Sequence, residues 1–267
     1  MSAARFFARD LLVGDVAIVT GGGSGLGQAT ALALTECGAR VVIAGRSAER
    51  LEHAAADLAA TTGTTPLPRA CDIRQPEQVQ ALVDFTIAQL GRVDILVNNA
   101  GGQFPQRAER FSVNGWKAVV ETNLTGTWFM TQAVARTMIA AGGGRIVNVI
   151  ANYHRGIPGS AHTSAARAAV ANLTRTLAVE WGRHDVRVNA VAPGPLEASG
   201  FTQVYDPAVI ERARALPLGR LGTLDEVAAA IVFLVSPASS WTTGATLDVT
   251  GGQHLDGPMW VVDPDAD

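Results

Sequence analysis

Seven short apolar runs recur along the chain, and most have no polar residue alternating inside them: Val16–Thr20, Arg40–Ala44, Leu67–Ala70, Asp94–Val97, Arg145–Ile150, Arg187–Val191 and Thr246–Val249. A strand with one wet face alternates apolar and polar residues, so a continuous run marks burial on both faces. A parallel sheet covered by helices on each side provides that burial. The stretches in between carry helical spacing: Gly25–Cys37, Ala48–Ala60, Glu77–Leu90, Val113–Ala140, Thr163–Trp181 and Leu224–Leu234. Strand and helix in alternation predict right-handed crossovers and a doubly wound α/β fold. At 267 residues and 48% hydrophobic, the chain holds enough apolar material for a core on both faces of one sheet. No linker, repeat or low-complexity tract divides it, so residues 1–267 are expected to form a single domain.

The longest irregular stretch, Ala192–Thr223, follows the carboxyl end of a predicted strand and contains Pro193, Gly194, Pro195, Pro207 and Pro217. Open α/β sheets bind ligands at that end, so a substrate lid around 192–223 is expected over a passive excursion.

The charge balance excludes some functions. Net charge is −3 and charged residues are 17%, without the basic excess a nucleic-acid surface needs. Cys37 and Cys71 have no metal-ligand spacing and no disulfide framework, which fits a reducing cytoplasm. No apolar run reaches the roughly 18 residues that would span a bilayer. Met1–Leu12 contains Arg5, Arg9 and Asp10 and does not read as a signal peptide, and Asp265-Ala266-Asp267 is not a peroxisomal tripeptide.

A cofactor site is legible after the first strand, in Thr20-Gly21-Gly22-Gly23-Ser24-Gly25-Leu26-Gly27. Glycines there allow a tight turn and close approach to a pyrophosphate, and the helix that follows aims its free N–H groups at the phosphates. The second strand ends in Ala44-Gly45-Arg46-Ser47. An acidic residue in the place of Gly45 would favour NAD by accepting from the ribose hydroxyls. Arg46 instead suits a 2′-phosphate, so NADPH is expected over NADH. Asp72, after the third strand, is positioned to accept from an adenine amino group. Asn98-Asn99-Ala100-Gly101 ends the fourth strand with small residues that leave room for the adenosine ribose.

Together these motifs resemble the short-chain dehydrogenase/reductase family. The same pattern includes Asn123 within Thr122-Asn123-Leu124, the run Arg187-Val188-Asn189-Ala190-Val191-Ala192-Pro193-Gly194, and the ending Thr243-Gly244 to Gly251-Gly252. The resemblance covers nearly the whole chain. It implies a seven-stranded Rossmann-type sheet, usually a homotetramer, and cofactor contacts at Gly21, Gly23, Ser24, Gly25, Leu26, Gly27, Arg46, Asp72, Ile73, Asn99, Ala100, Gly101, Pro193 and Gly194.

One departure from the family pattern is informative. The family's Tyr-x-x-x-Lys position reads Thr163-Ser164-Ala165-Ala166-Arg167, and its serine position reads Ala151. The only lysine is Lys117 and the only tyrosines are Tyr153 and Tyr205. In the family's pattern the proton is exchanged with an alcohol oxygen through a phenol acidified by a lysine. Threonine does not ionise usefully, and arginine is a poor proton relay.

Within the family, the chain resembles the coenzyme A thioester reductases that lack this tyrosine, namely 2,4-dienoyl-CoA and peroxisomal trans-2-enoyl-CoA reductases. The resemblance rests on Asn98–Phe104, Gly115-Trp116 with Glu121–Thr127, and His162–Thr174. Dienoyl-CoA reductases recruit a different tyrosine just after the fifth strand, and Tyr153 stands there. Reducing a C=C bond conjugated to a thioester collects negative charge on the thioester oxygen, which calls for neutral donors. Tyr153 and Asn123 are expected to be those donors and to converge in one pocket. Thr163 and Arg167 share a helix face. Arg167 is expected on the nicotinamide ribose hydroxyls, with Thr163 or Ser164 supporting ribose or substrate.

Arg107 and Arg110 read as solvated surface arginines, the alternative being coenzyme A phosphate ligands. His154 and His162 read as non-catalytic, the alternative being proton donors. The leading function is thus NADPH-dependent reduction of an enoyl- or dienoyl-CoA. A dehydrogenase of an alcohol or aldehyde, such as a terpenoid, and a catalytically inactive NADP-binding sensor stand as alternatives.

Overall fold

A computed structural model of the chain describes residues 3–154, 156–197, 207, 211 and 216–255. Seven parallel strands form one sheet: β1 Val16–Thr20, β2 Arg40–Gly45, β3 Leu67–Ala70, β4 Ile95–Asn98, β5 Gly144–Val149, β6 Val186–Pro193 and β7 Thr246–Val249. Their spatial order is β3-β2-β1-β4-β5-β6-β7. The seven predicted runs are all present as strands, each within two residues at either end. The sheet is the doubly wound Rossmann-type arrangement that the apolar runs predict.

Successive strand residues face opposite layers. Ala17, Val19, Ile95, Val97, Val147 and Val149 pack with α1 (Gly25–Glu36), α2 (Ala48–Thr62) and α7 (Leu224–Val235). Ile18, Val42, Leu96, Ile146 and Val188 pack on the other side with α3 (Pro76–Leu90), α5 (Thr127–Ala141) and α6 (Ala161–Trp181). Both faces of the same strands are therefore dry, which is why their sequences are unbroken in apolar character.

Helix boundaries follow local chemistry. The Ser47 hydroxyl caps α2 by accepting from the Arg50 amide, and Gly63 ends it in the left-handed conformation at φ 72°. Thr223 and Glu226 close a reciprocal capping box on α7.

One predicted helix is not continuous. Val113–Ala140 resolves into α4 (Val113–Val120), a π turn over Glu121–Gly126, and α5. Such turns insert an extra residue and are frequent at functional sites. Asn123 sits inside this one, fully buried.

The sheet order reverses between β1 and β4, whose strands pair directly through Ala17–Val19 and Ile95–Val97. Ligand crevices form beyond the carboxyl ends of strands at such a switch point.

Of the stretch expected to form a lid, 198–206, 208–210 and 212–215 lie outside the described residues. Its two described ends meet in a short parallel bridge between Leu196 and Gly222.

Candidate active site

Beyond the switch point lies a 480 Å³ cavity. It is lined from four strand ends: the glycine-rich loop, Gly45 to Leu51 after β2, Cys71 to Arg74 after β3, and Asn99 to Gly101 after β4. Thr122, at the edge of the π turn, closes the rim. Nine of the expected cofactor residues line it: Gly21, Gly23, Ser24, Arg46, Asp72, Ile73, Asn99, Ala100 and Gly101.

Gly25, Leu26 and Gly27 form the first turn of α1 instead, next to the cavity. A Cβ on Gly27 would collide with the Gly21 carbonyl, so the glycine seats the helix against the loop. Pro193 and Gly194 lie at the far end of β6, where the Gly194 amide donates to Val249 O at 2.9 Å. Neither lines the cavity.

Two residues inside the cavity are already engaged. Asp72 accepts from Arg74 Nε at 2.9 Å and from Arg74 Nη2 at 2.5 Å. That guanidinium holds the Asp72 carboxyl below the usual carboxylate range. Arg74 thus braces the carboxylate expected to accept from an adenine amino group, whose oxygens keep further lone pairs. Asn99 braces the glycine-rich loop, with Nδ2 donating to Thr20 O at 3.0 Å and its amide bonded to Thr20 Oγ1 at 3.0 Å. What sequence reasoning missed is that Arg50 and Arg74 join Arg46 on the cavity wall. Arg50 lies in the first turn of α2, just after the Ser47 cap that follows Arg46.

Beneath the cavity, a buried polar chain crosses the sheet. Asn98 Nδ2 donates to Thr131 Oγ1 at 2.8 Å and to Asn148 Oδ1 at 2.9 Å, and Asn148 Nδ2 donates to Thr174 Oγ1 at 2.9 Å. It ties β4 and β5 to α5 and α6.

The first two turns of α6 face the loop that leaves β4. Arg167 is 7% exposed, and its guanidinium lies so close to Gly101 that any Cβ there would clash with it. Burial pulls its pKa down to about 10, so it remains charged at neutral pH. Thr163 Oγ1, Arg167 Nη1 and His162 Nε2 are all buried, and none has a hydrogen-bond partner among the described residues. Unpaired buried polar groups are costly and rare, and three on two helical turns mark a site built for a ligand.

Asn123 and Tyr153, the two expected donors, each have partners of their own. The Asn123 amide is closed onto one backbone unit: Nδ2 donates to Gly102 O at 3.0 Å, and Oδ1 accepts from Gly102 N at 2.9 Å. Its oxygen and one of its two amide hydrogens hold the β4 loop. The Tyr153 ring packs against the cluster of Ile150, Val170 and Ala171 and stacks on His154 with centroids 4.9 Å apart. Its hydroxyl meets Arg175 Nη2 at 3.4 Å. Arg175 lies twelve positions beyond Thr163, about 18 Å along α6.

The histidines also separate. His154 is half-exposed and pairs with Asp248 at 3.1 Å. His162 is fully buried.

Comparison with known proteins agrees with this layout. The family model described as Enoyl-(Acyl carrier protein) reductase matches residues 21–254. The chain is 43% identical to the peroxisomal 2,4-dienoyl-CoA reductase [(3E)-enoyl-CoA-producing] of Danio rerio, over 94% of this chain and 85% of that protein. It is 40% identical to the probable 2,4-dienoyl-CoA reductase [(2E)-enoyl-CoA-producing] of Bacillus subtilis, over 89% and 96%. Among solved structures, it superposes on a citronellol catabolism dehydrogenase of Pseudomonas aeruginosa PAO1 with a TM-score of 0.84 and 42% identity, covering 93% of this chain and 98% of that one. The glycine-rich crevice, the sheet order and these similarities together establish that the chain is an oxidoreductase belonging to the short-chain dehydrogenase/reductase family.

Proposed function

We propose that the chain is an NADPH-dependent reductase of a C=C bond conjugated to a coenzyme A thioester, a 2,4-dienoyl-CoA or a 2-enoyl-CoA. The observation that carries this reading is the substitution of the acid–base pair. Thr163 and Arg167 stand, buried and unpartnered, where a phenol and a lysine amine would exchange a proton with an alcohol oxygen. Two relatives at 43% and 40% identity that are named dienoyl-CoA reductases support the same substrate class.

The residues present fit the cofactor. The glycine-rich loop and the α1 amino terminus offer backbone N–H groups to a pyrophosphate. Arg46, with Arg50 and Arg74, brings positive charge to the end of β2, where a 2′-phosphate would lie. The free Nη1 of Arg167 and Oγ1 of Thr163 suit ribose hydroxyls or a substrate oxygen. When bound, NADPH supplies the hydride. Arg167 keeps its charge and contributes electrostatic stabilisation to the oxygen that becomes negative, without transferring a proton. The carbon takes its proton from water. The stretch around 192–223 serves as the substrate lid in this reading, closing over the carboxyl ends of the strands.

Assembly and location belong to the same reading: a homotetramer in the cytoplasm. Trp241 and Val179, 99% and 84% exposed, are apolar surface suited to contact with other copies. The thiols of Cys37 and Cys71 are buried, free, and pushed up to about 11 by burial, which keeps them unreactive. No helix among the described residues is long and apolar enough to cross a membrane.

A second reading has its own support: a dehydrogenase of a terpenoid alcohol or aldehyde, from the likeness to the citronellol catabolism dehydrogenase at 42% identity. One assay separates the two. NADPH oxidation is followed with trans-2-enoyl-CoA, 2,4-dienoyl-CoA, citronellal and a panel of ketones. Turnover confined to the thioesters is expected. Turnover only with the aldehyde or ketones removes the thioester reading, and tighter binding of NADH than NADPH removes the role given to Arg46.

A further inference from the structure

Fourteen residues separate Asn98, the end of β4, from Val113, the start of α4. Most strand-to-helix connections take about two to six, and much longer ones are usually functional. This one begins where Gly101 abuts the Arg167 guanidinium. It is then held at three places. Gly102 is bonded to Asn123, the Gln106 amide donates to Gly159 O at 2.8 Å, and the rings of Phe104 and Phe111 lie 4.7 and 4.4 Å from that of His162. Gly159 and His162 stand at the entry to α6, so the loop runs past the first turn of the helix that carries Thr163.

On this braced loop the Arg110 amide donates to Arg107 O at 2.9 Å, which closes a 3-10 turn over Ala108–Arg110. At three residues per turn, side chains at i and i+3 eclipse, so Arg107 and Arg110 project from one side and Glu109 from another. Both arginines are exposed, and neither guanidinium has a partner among the described residues. From Gly102 to Val120 the charged residues are Arg107, Glu109, Arg110 and Lys117, three cations less one carboxylate, in a chain of net charge −3. Exposed apolar surface continues from the loop onto α4. The Phe104 ring lies so close to Gly115 that a Cβ there would strike it, and Val113 and Trp116, three apart on α4, are exposed with it.

Unpaired cations next to exposed apolar side chains match a ligand with an apolar arm and an anionic head. Arginine suits phosphate through forked, charge-assisted hydrogen bonds. A coenzyme A thioester has that makeup: an acyl group, a pantetheine arm, and a nucleotide with a diphosphate and a phosphomonoester. We infer that Arg107 and Arg110 bind phosphate groups of the coenzyme A nucleotide, while the acyl end lies at Thr163 and Arg167. The inference rests on the thioester reading of the function. Arg107 follows Gly101 by six residues, at most about 20 Å of chain, a distance of the order of the pantetheine arm. The crevice for NADPH has arginines of its own, Arg46, Arg50 and Arg74, and neither Arg107 nor Arg110 lines it. The solvated role first expected of Arg107 and Arg110 thus gives way to its alternative.

The test compares trans-2-enoyl-CoA with the enoyl-pantetheine thioester of the same acyl group, which keeps the arm and lacks the nucleotide. The readout is the ratio of their kcat/KM values at saturating NADPH, in the full-length wild type and in Arg107→Gln/Arg110→Gln. The wild-type ratio is expected to exceed one and to fall toward one as salt is raised. The double variant is expected to lower it roughly tenfold, about threefold for each exposed charge pair, through KM for the coenzyme A substrate. A wild-type ratio near one, or an unchanged ratio in the variant, overturns the inference and leaves the thioester reading intact. A loss in the variant confined to an acyl carrier protein thioester overturns it in favour of a carrier protein. Turnover of neither thioester by the wild type overturns both. Because the salt series needs no variant, the outcome does not depend on how the double variant folds.

Discussion

Hydrogen-bond engagement separates three polar side chains that the sequence treats alike. Asn123, Asp72 and Tyr153 are each the right type at the right position for a ligand contact. In the folded chain, Asn123 bonds twice to Gly102, Asp72 is held by Arg74, and the Tyr153 hydroxyl meets Arg175. These bonds fix where each group sits, and the Tyr153 hydroxyl is held beside Arg175, about three turns along α6 from Thr163. Tyr153→Phe is therefore expected to leave kcat for an enoyl-CoA within about twofold, since a donor absent from the transition state contributes nothing to ΔΔG‡. Steady-state kinetics checks it, and a tenfold fall would return the hydroxyl to the reaction. His162, Thr163 and Arg167 are the converse case, because their polar atoms are buried and unspent.

Between helices α4 and α5, the π turn is the element that departs most from its sequence pattern. Val113–Ala140 reads as one helix because its periodicity runs unbroken, and a single inserted residue hardly disturbs that pattern. What makes the turn recoverable is Asn123, a poor helix former in mid-helix with no local reason to be there. The structure supplies the reason: widening the helix sets the Asn123 amide against both polar groups of the Gly102 unit. Asn123→Ala leaves that buried pair unmade and is expected to destabilise the fold by about 1–3 kcal/mol. The loss should appear as a lower denaturation midpoint, with faster amide exchange at Gly102. Unchanged exchange at Gly102 would mean that the loop is held by other contacts.

Across the whole molecule, acid sensitivity follows from carboxylates that the fold has paired. Glu226 is held down to about 2 by Arg220 and the α7 cap, and Asp72 is held below its usual value by Arg74. A carboxyl with a depressed folded pKa stabilises the fold above its unfolded value, and that contribution disappears as pH falls toward the folded one. Asp15, raised by burial, works in the opposite sense. Glu226 has the large shift and sets the expected sign, although its exposure to solvent limits the magnitude. The urea midpoint is expected to fall between pH 5 and pH 3, and Glu226→Gln should flatten that fall. An unchanged pH dependence in the variant would remove Glu226 as the cause.

The chain's own order of residues determined the sheet, the two-sided core and the location of the cofactor crevice. Those features come from periodicities of a few residues and from glycines whose effect is local. The resemblance to the family's motif identified Thr163 and Arg167 as the replaced pair. Only the tertiary structure decided which polar groups are free, because a hydrogen bond such as Asn123 to Gly102 or Asn98 to Asn148 joins residues 21 and 50 positions apart. Spacing along the chain carries no record of such partners. For that reason Asn123 and Tyr153 read alike in the sequence, while the fold sets the first against Gly102 and the second beside Arg175.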